Sequence, residues 1–239
     1  MDSRRIISVG PVVSLQEAQA LLNQGAKELF VLTHPHSRYG AEDTISSDEL
    51  EAIRRSCSAP IGVIIAPGEC LKCSVGLALE FDASFVYVDC RLFSEVEVKW
   101  IQDMVSCPVR LYGFWIHHDE DPEWLKQDLS DYDALKPFSP IVTLIQGLYE
   151  PFEYLFCSAG EFDDDVLLSD IVELCDREKE RLSINSVWTA SKFLPEFLAL
   201  IPSNIPLVVF MSVNFATQSE PVCVERGRAL SVVKALASI

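Results

Sequence analysis

The stretch 7-ISVGPVVSLQEAQALLNQGAKELFVL-32 decides the fold prediction, because it contains a strand, a helix and a second strand in direct succession. Its ends are short apolar runs, as in strands that are buried on both faces of a sheet. Between them Ser14 is a suitable N-cap, Glu17 would complete a capping box, and Gly25 suits the C-terminal cap. This order favours two parallel strands joined by a helical crossover.

The same alternation continues to the end of the chain. We predict eight strands, at 5–13, 28–34, 60–66, 84–90, 108–117, 140–146, 184–190 and 206–213. We predict eight helical segments between and after them, at 14–26, 47–57, 69–81, 94–106, 122–135, 166–181, 192–201 and 223–238. Eight such units predict a single (β/α)8 barrel of the TIM type over residues 1–239, and an open doubly wound parallel sheet is the alternative.

Composition excludes several classes of function. The chain has 239 residues, with 36 acidic and 19 basic side chains and a net charge of −17. This charge repels polyanions, and no basic cluster offsets it, so we expect no nucleic-acid partner. No apolar run is long enough to span a bilayer, and the N-terminus lacks the pattern of a signal peptide, so we expect a cytoplasmic protein without a membrane span.

The segment from Leu15 to Asp89 resembles the BtpA/SgcQ family of barrel proteins, over about a third of the chain. The likeness rests on Gly25-Ala26, Tyr39-Gly40, 60-PIGV-63, the small apolar residues 75-VGLA-78 and the strand 84-SFVYVD-89. It implies a barrel fold and a small-molecule enzyme, and some members of that family are tied to photosystem assembly. Two motifs depart from the family pattern: Pro67-Gly68-Glu69 replaces an Asn-Asp pair, and Phe210-Met211-Ser212 replaces a Gly-Ser-Gly turn.

The opening stretch is also similar to sugar-phosphate isomerase barrels. Those enzymes bind phosphate with paired glycines after the late strands, where backbone N–H groups close on the anion. The late predicted strands of this chain contain no glycine pair, and the whole chain has only 10 glycines. Together with the net charge, this disfavours a phosphorylated substrate.

Ionisable side chains follow three predicted strands at their carboxyl ends, where barrels place their sites. Asp89 ends the fourth strand, and His117 ends the fifth. We predict that both are catalytic, with Asp89 as a general base or as a contact to a hydroxylated substrate. The alternative is that Asp89 caps the turn that follows it, beside Arg91.

The remaining histidines suggest a divalent-metal site. His34 and His36 follow the second strand in a His-X-His spacing, and His118 is adjacent to His117. Such a set could hold a metal that lowers the pKa of bound water. The alternative is that these are solvated loop histidines. We predict four further ligand contacts, at Arg38, Gln146, Trp188 and Asn214.

The eight cysteines are irregularly spaced and predict a reduced protein. Cys70 and Cys73 lie at the start of the third predicted helix, where the helix dipole and Lys72 would favour a thiolate. No second CxxC completes a zinc site. We favour a structural pair, with Cys73 on the face that packs against the sheet, and a redox pair is the alternative.

Two hypotheses about function follow, so enzymatic activity stays open. The first is a hydrolase or lyase that acts on a small polar metabolite at the C-terminal face. The second is a barrel that has lost catalysis and works as a protein-binding or assembly factor, for which the aromatic segment 148-LYEPFEYLF-156 could be an anchor. A mouth filled by Trp115, Trp188, Phe210 and Met211 would favour the second hypothesis. Association with a second copy of the chain is open under both.

Overall fold

The computed structural model describes residues 5–36, 39–117, 139–145, 176, 183–185, 198–199, 202–213 and 223–238. For residues 113–117, 139–145 and 185 it describes the backbone alone. Most of the first half of the chain and the last two strands are therefore described with their side chains. The predicted helices 122–135 and 166–181 and the aromatic segment 148–156 lie outside these ranges, apart from residue 176.

Strands in the described ranges form one sheet. They are β1 (Ile7–Gly10), β2 (Glu28–Leu32), β3 (Ile61–Ile64), β4 (Phe85–Asp89), β5 (Val109–His117), β6 (Ser139–Ile145), β7 (Ser183–Asn185), β8 (Leu207–Ser212) and β9 (Val224–Glu225). The first eight correspond to the predicted strands. β9 was not predicted, because two residues are too few to show a strand pattern.

The strands follow one another across the sheet in chain order, and every described pairing between them is parallel. β1 also pairs with β8, in a register that runs from Ile7–Leu207 to Gly10–Phe210. The hydrogen-bonded order therefore returns from β8 to β1, so the sheet curls on itself. The α/β class and the parallel sheet are confirmed.

Five helices of two or more turns lie within the described ranges: α1 (Leu15–Gln24), α2 (Ser47–Ser56), α3 (Leu71–Glu80), α4 (Glu95–Met104) and α5 (Ala229–Leu236). The last begins six residues later than predicted, because β9 and a 3₁₀ turn at Arg226–Arg228 precede it. Within the same ranges, no helix combines the length and apolarity that crossing a bilayer requires.

Local capping explains where the helices begin and end. Ser14, Ser46 and Ser94 each accept a hydrogen bond from the backbone N–H three residues later. The capping box expected at Ser14 is only half formed, because the Glu17 carboxylate accepts from Val13 N instead. The complete box is at the start of α4. Gly25 ends α1 at a φ of 118°, a left-handed conformation that favours glycine.

The sheet has a hydrophobic cluster on each face. The outer cluster joins strand residues such as Val31 and Val88 to the helices. The inner cluster contains no helical residue and is rich in aromatic rings, which places it inside the curled sheet. Its members are Phe30, Leu32, Tyr39, Ile64, Phe85, Tyr87, Tyr112, Val208, Phe210 and Cys223. Burial on both faces is what the continuous apolar strands predicted.

A glycine makes room for these rings. A Cβ atom at Gly62 would lie 2.0 Å from the Phe85 ring. Phe85 in turn meets Tyr87 edge-on, with 5.2 Å between ring centroids, and Tyr87 meets Phe30 at 4.7 Å. The interior is thus filled by side chains as a packed core.

The amino-terminal end of the interior contains a polar network. Arg110 on β5 donates to both carboxylate oxygens of Glu28 on β2, at 2.6 and 3.1 Å, and its guanidinium lies over the Phe85 ring. It also donates to the Tyr87 hydroxyl, which is 3.1 Å from Ser8 Oγ. Burial raises the pKa of Tyr87 above its ordinary value, so the phenol stays protonated. In folds of the TIM type, the amino-terminal ends of the strands serve stability rather than catalysis.

Candidate functional site

Asp89 is a buried carboxylate at the carboxyl end of β4. Because Phe85 and Tyr87 face the interior, the alternation of the strand directs Asp89 inward as well. Its residue exposure is 1%. Oδ1 accepts a hydrogen bond from Arg91 N at 3.1 Å and lies 3.5 Å from Arg91 Nε. The turn-capping contact with Arg91, which was the alternative interpretation of Asp89, is therefore present.

Tyr112 is the neighbour of Asp89 that sequence reasoning missed. The two residues are register partners on β4 and β5, and both are buried. The Tyr112 ring packs against Phe210 on β8, with centroids 4.9 Å apart. Asp89 thus lies at the upper edge of an aromatic interior. Tyr112 lies two positions after Arg110 and therefore faces the same side of β5. To place it beside Asp89, the register between β4 and β5 must also be known, and the sequence does not show that register.

His117 ends β5 but does not stand beside Asp89. It pairs with Ile145 and lies five positions beyond Tyr112, past an irregularity between Leu111 and Phe114. Five residues of strand span on the order of 15 Å. β5 and β6 therefore project beyond the end of β4, and a ligand shared by Asp89 and His117 would have to bridge that offset.

His34 and His36 lie in the loop after β2 and make different contacts. His34 Nδ1 is 2.9 Å from Thr33 Oγ1. The ring of His36 meets Tyr39 edge-on at 5.2 Å, and the backbones of these two residues pair with each other. In the part of the chain that the structure describes, no three His, Cys, Asp or Glu side chains are grouped as metal ligands. The His36 ring is therefore packed against Tyr39 within this loop.

The loop after β2 folds over the carboxyl end of the sheet. Tyr39 in this loop is 2% exposed and belongs to the inner cluster. Its hydroxyl oxygen lies 3.6 Å from Cys223 Sγ. Ile45 N donates to Leu32 O at 2.8 Å, which ties the far end of the loop back to β2. The loop therefore covers the β1–β2–β8 side of the interior.

The same loop inserts Asp43 into a charged network. Asp43 is fully buried and accepts hydrogen bonds from Ser212 Oγ, Val213 N and Arg226 Nη2, at 2.7, 3.2 and 2.7 Å. Arg226 Nη1 donates to both carboxylate oxygens of Glu17, at 2.9 and 2.8 Å. The network joins α1, the loop after β2, the end of β8 and the turn after β9. None of its members was predicted, since their separation in sequence carries no local pattern.

Several expectations about the mouth need correction or lie outside the described ranges. Phe210 faces the interior, as a filled mouth would require, but Met211 faces outward into the helix-facing cluster, because adjacent strand residues point to opposite sides. Trp115 lies in β5. Outside the described residues lie Arg38, His118, Gln146, Trp188 and Asn214.

The two cysteines of the CxxC are also placed differently from the prediction. A 3₁₀ turn over Gly68–Cys70 precedes α3, so that Cys70 is the N-cap residue. Cys73 is exposed, whereas Ser74, Val75 and Ala78 form the buried face of α3. The expectation that Cys73 packs against the sheet was wrong, because at about 100° per residue Cys73 lies roughly 200° around the helix from the buried Val75. Both thiols are free.

Comparison with known proteins supports the fold and does not show a family. No protein-family model and no curated protein matches the sequence. Among solved structures, phosphoribosyl anthranilate isomerase from Thermotoga maritima has a TM-score of 0.60 and 12% identity, over 98% of this chain and 100% of that one. The DHPS of Yersinia pestis has a TM-score of 0.50 and 13% identity, over 99% and 95%.

A third similar structure is longer than this chain. Phospho-2-dehydro-3-deoxyheptonate aldolase from Thermotoga maritima has a TM-score of 0.51 and 12% identity, over 98% of this chain but 68% of its own. At such identities the similarity concerns the fold alone. The chain therefore shares its α/β fold with enzymes of the TIM-barrel type.

Proposed function

We propose that this protein binds and acts on a small polar metabolite at the carboxyl ends of its strands, with Asp89 as the residue that recognises or deprotonates the ligand. The observation that carries the proposal is the position of Asp89, a buried and inward-facing carboxylate at the end of a central strand. The contacts from Arg91 hold Oδ1, which orients the group toward the interior.

The fold supports a small-molecule role by analogy. A phosphoribosyl anthranilate isomerase with a TM-score of 0.60 to this chain has been solved with reduced 1-(o-carboxyphenylamino)-1-deoxyribulose 5-phosphate. The Yersinia pestis DHPS was solved with a pterine-sulfa conjugate. Proteins of this fold place such sites at the carboxyl ends of the strands. From these two structures we infer for this chain only where the ligand binds and that it is a small molecule.

The reaction type proposed for this site is hydrolysis or lyase chemistry. Asp89 would act as general base, and Tyr112 beside it would shape the apolar wall. His117, on the projecting end of β5, is proposed as a second group for a ligand long enough to reach it. A complete (β/α)8 barrel in one domain, and its relation to BtpA/SgcQ proteins, belong to the same proposal. The divalent metal stays a separate prediction, which the metal content of the protein and of a His34→Ala variant would test.

A panel of polar metabolites, followed by thermal denaturation and calorimetry, tests the proposal. Asp89→Asn keeps the shape of the side chain and an acceptor for Arg91 N, but it removes the charge. Asp103→Asn, on the exposed face of α4, is the matched control. We expect a ligand that stabilises the native protein and the control equally, and binds Asp89→Asn at least about tenfold more weakly. Equal binding by all three proteins would rule out Asp89 as the recognition group.

The second candidate, a protein-binding or assembly factor without catalysis, is favoured by one observation. The interior is filled with aromatic rings, and the loop with Tyr39 covers the β1–β2–β8 side, which leaves less room for a ligand there. If no metabolite in the panel stabilises the native protein, this candidate becomes the stronger one. Its test is whether the purified protein forms a stoichiometric complex with a defined partner.

A further inference from the structure

The Asp43 carboxylate is surrounded by the donor groups of an anion-binding site. A hydroxyl (Ser212), a backbone N–H (Val213) and a guanidinium (Arg226) converge on its two oxygens within 3.2 Å. Hydrogen bonds from such groups to an anion are the strong, charge-assisted kind. They lie where the last strand of the eight ends, the region in which barrels of this type often bind phosphate.

Arg226 is oriented for this role by another residue. Its Nη1 is engaged by both oxygens of Glu17, which leaves Nη2 directed at Asp43. Glu17 in turn accepts a hydrogen bond from Val13 N, so the chain after β1 fixes it. The donors therefore come from the end of β8 and from the turn after β9, with Arg226 held by Glu17 on α1, whereas the anion comes from a loop that follows β2.

The charges of the network are consistent with one bound anion. Glu17 and Arg226 neutralise each other, and the carboxylate of Asp43 leaves a net charge of −1 within this group. A small monoanion in place of that carboxylate would restore the same balance. Removal of the carboxylate alone would leave the Ser212 hydroxyl, the Val213 N–H and the Arg226 Nη2 without this acceptor in a buried place, which is unfavourable.

We propose that the carboxyl end of β8 is an anion-binding cradle formed by Ser212, Val213 and Arg226, and that Asp43 occupies it from within the chain. Asp43 thereby closes this end of the sheet to ligands that carry a phosphate or carboxylate group. A small oxyanion is the chemistry that the cradle accepts once Asp43 is removed. This inference is independent of Asp89, which lies on β4 and would contact a different ligand.

The test is chemical rescue of Asp43→Ala by added anions. Thermal denaturation is followed in sodium formate and in sodium phosphate, each compared with sodium chloride at equal ionic strength, because screening alone changes stability. The native protein and Asp103→Ala, which loses the same side chain from an exposed position, are the controls. Calorimetric titration with the same two anions measures the affinity directly.

We expect formate or phosphate to raise the Tm of Asp43→Ala by about 3 °C more than chloride does, and to leave both controls unchanged. Affinity should be at least about tenfold greater than in the native protein, and Ser212→Ala added to Asp43→Ala should weaken it roughly tenfold. Rescue by formate alone supports a cradle for carboxylates, and rescue by phosphate extends it to phosphorylated ligands.

Rescue by neither anion overturns the proposal and leaves Asp43 with a purely structural role. Because Asp43 is buried, the recovery of folded Asp43→Ala protein is a separate outcome of the test. If Asp43→Ala is recovered only in the presence of one of the two anions, that dependence supports the cradle. If it is recovered in neither, the cradle does not accept an external anion, and the proposal is wrong.

Discussion

Arg110 and Glu28 form a two-pronged ion pair across the interior of the sheet, at 2.6 and 3.1 Å, although two other strands separate β5 from β2. The side chains are 16% and 12% exposed. Burial alone would lower the pKa of Arg110, but its bonds to Glu28 and Tyr87 together raise it. Arg110 therefore stays charged. Its contact with Glu28 shows that the sheet is curved, since the strands of a flat sheet would hold these two residues apart.

Removal of Glu28 should destabilise the fold strongly. Glu28→Ala leaves the Arg110 guanidinium in the interior without its carboxylate, and we expect a loss of about 3 kcal/mol in the free energy of unfolding. Glu51→Ala is the control, because it breaks the exposed pair with Arg55 and should cost less than about 0.5 kcal/mol. Urea denaturation measures both. Losses of similar size in the two variants would show that the interior pair is not a distinctive source of stability.

Gly62 should not tolerate a methyl group. Gly62→Ala places a Cβ 2.0 Å from the Phe85 ring, and the overpacked interior should lose about 2 kcal/mol. Gly76→Ala is the matched change in α3, where a Cβ meets nothing within 4 Å. It should stabilise the protein by up to about 1 kcal/mol, since alanine favours the helix. We expect a lower urea midpoint for Gly62→Ala and a higher one for Gly76→Ala than for the native protein. An unchanged midpoint for Gly62→Ala would mean that the Phe85 ring relaxes freely.

The capping box at Ser94 predicts a pH dependence. The hydrogen bonds from the side chain and backbone of Ser94 lower the pKa of Glu97. Because the folded-state pKa is the lower one, the contribution is complete above the ordinary value of 4.5 and is lost as the pH falls through the folded-state pKa.

Ser94→Ala tests this dependence. The variant should lose about 1 kcal/mol near neutral pH, and the loss should shrink in acid. Ser106→Ala, at an exposed position beyond the end of α4, is the control. Urea denaturation between pH 3 and 7 gives the profile, and a cost of Ser94→Ala that is constant over this range would contradict the role of the Glu97 carboxylate.

The cysteines should react with N-ethylmaleimide in an order set by burial. Cys73 is exposed, and burial raises the pKa of Cys57 and Cys107, which lowers their thiolate fraction. We expect Cys73 to be labelled first and the buried Cys223 only after unfolding, as measured by peptide mass spectrometry. If Cys73 reacts only after reduction, a disulfide is present and the redox interpretation of the CxxC gains support.

Much of the fold was predictable because the features that define it are local. Ser14, Ser46 and Ser94 cap helices within three residues of themselves, and Gly25 ends α1 by its own conformational freedom. Continuous apolar runs show that strands such as β2 and β4 are buried on both sides. These patterns depend on neighbours along the chain, so the α/β class and the first eight strands followed from the sequence.

The candidate site was predictable only in part. Asp89 could be placed at a strand end from the sequence, and the structure shows it buried there. The offset of His117 depends on the register that pairs Asp89 with Tyr112, which the apolar runs do not specify. Cys73 was placed on the wrong face of α3, because its position two residues before the buried Val75 puts it on the opposite side of the helix.

The sequence by itself determined which segments become strands and helices, since periodicity and capping act over a few residues. Only the tertiary structure decided which side chains meet. Ser212 bonds to Asp43 across 169 positions, and Arg226 bonds to Glu17 across 209. The physical reason is that the pairing of β1 with β8 brings the two ends of the chain together, and no local pattern encodes the partners that this closure selects.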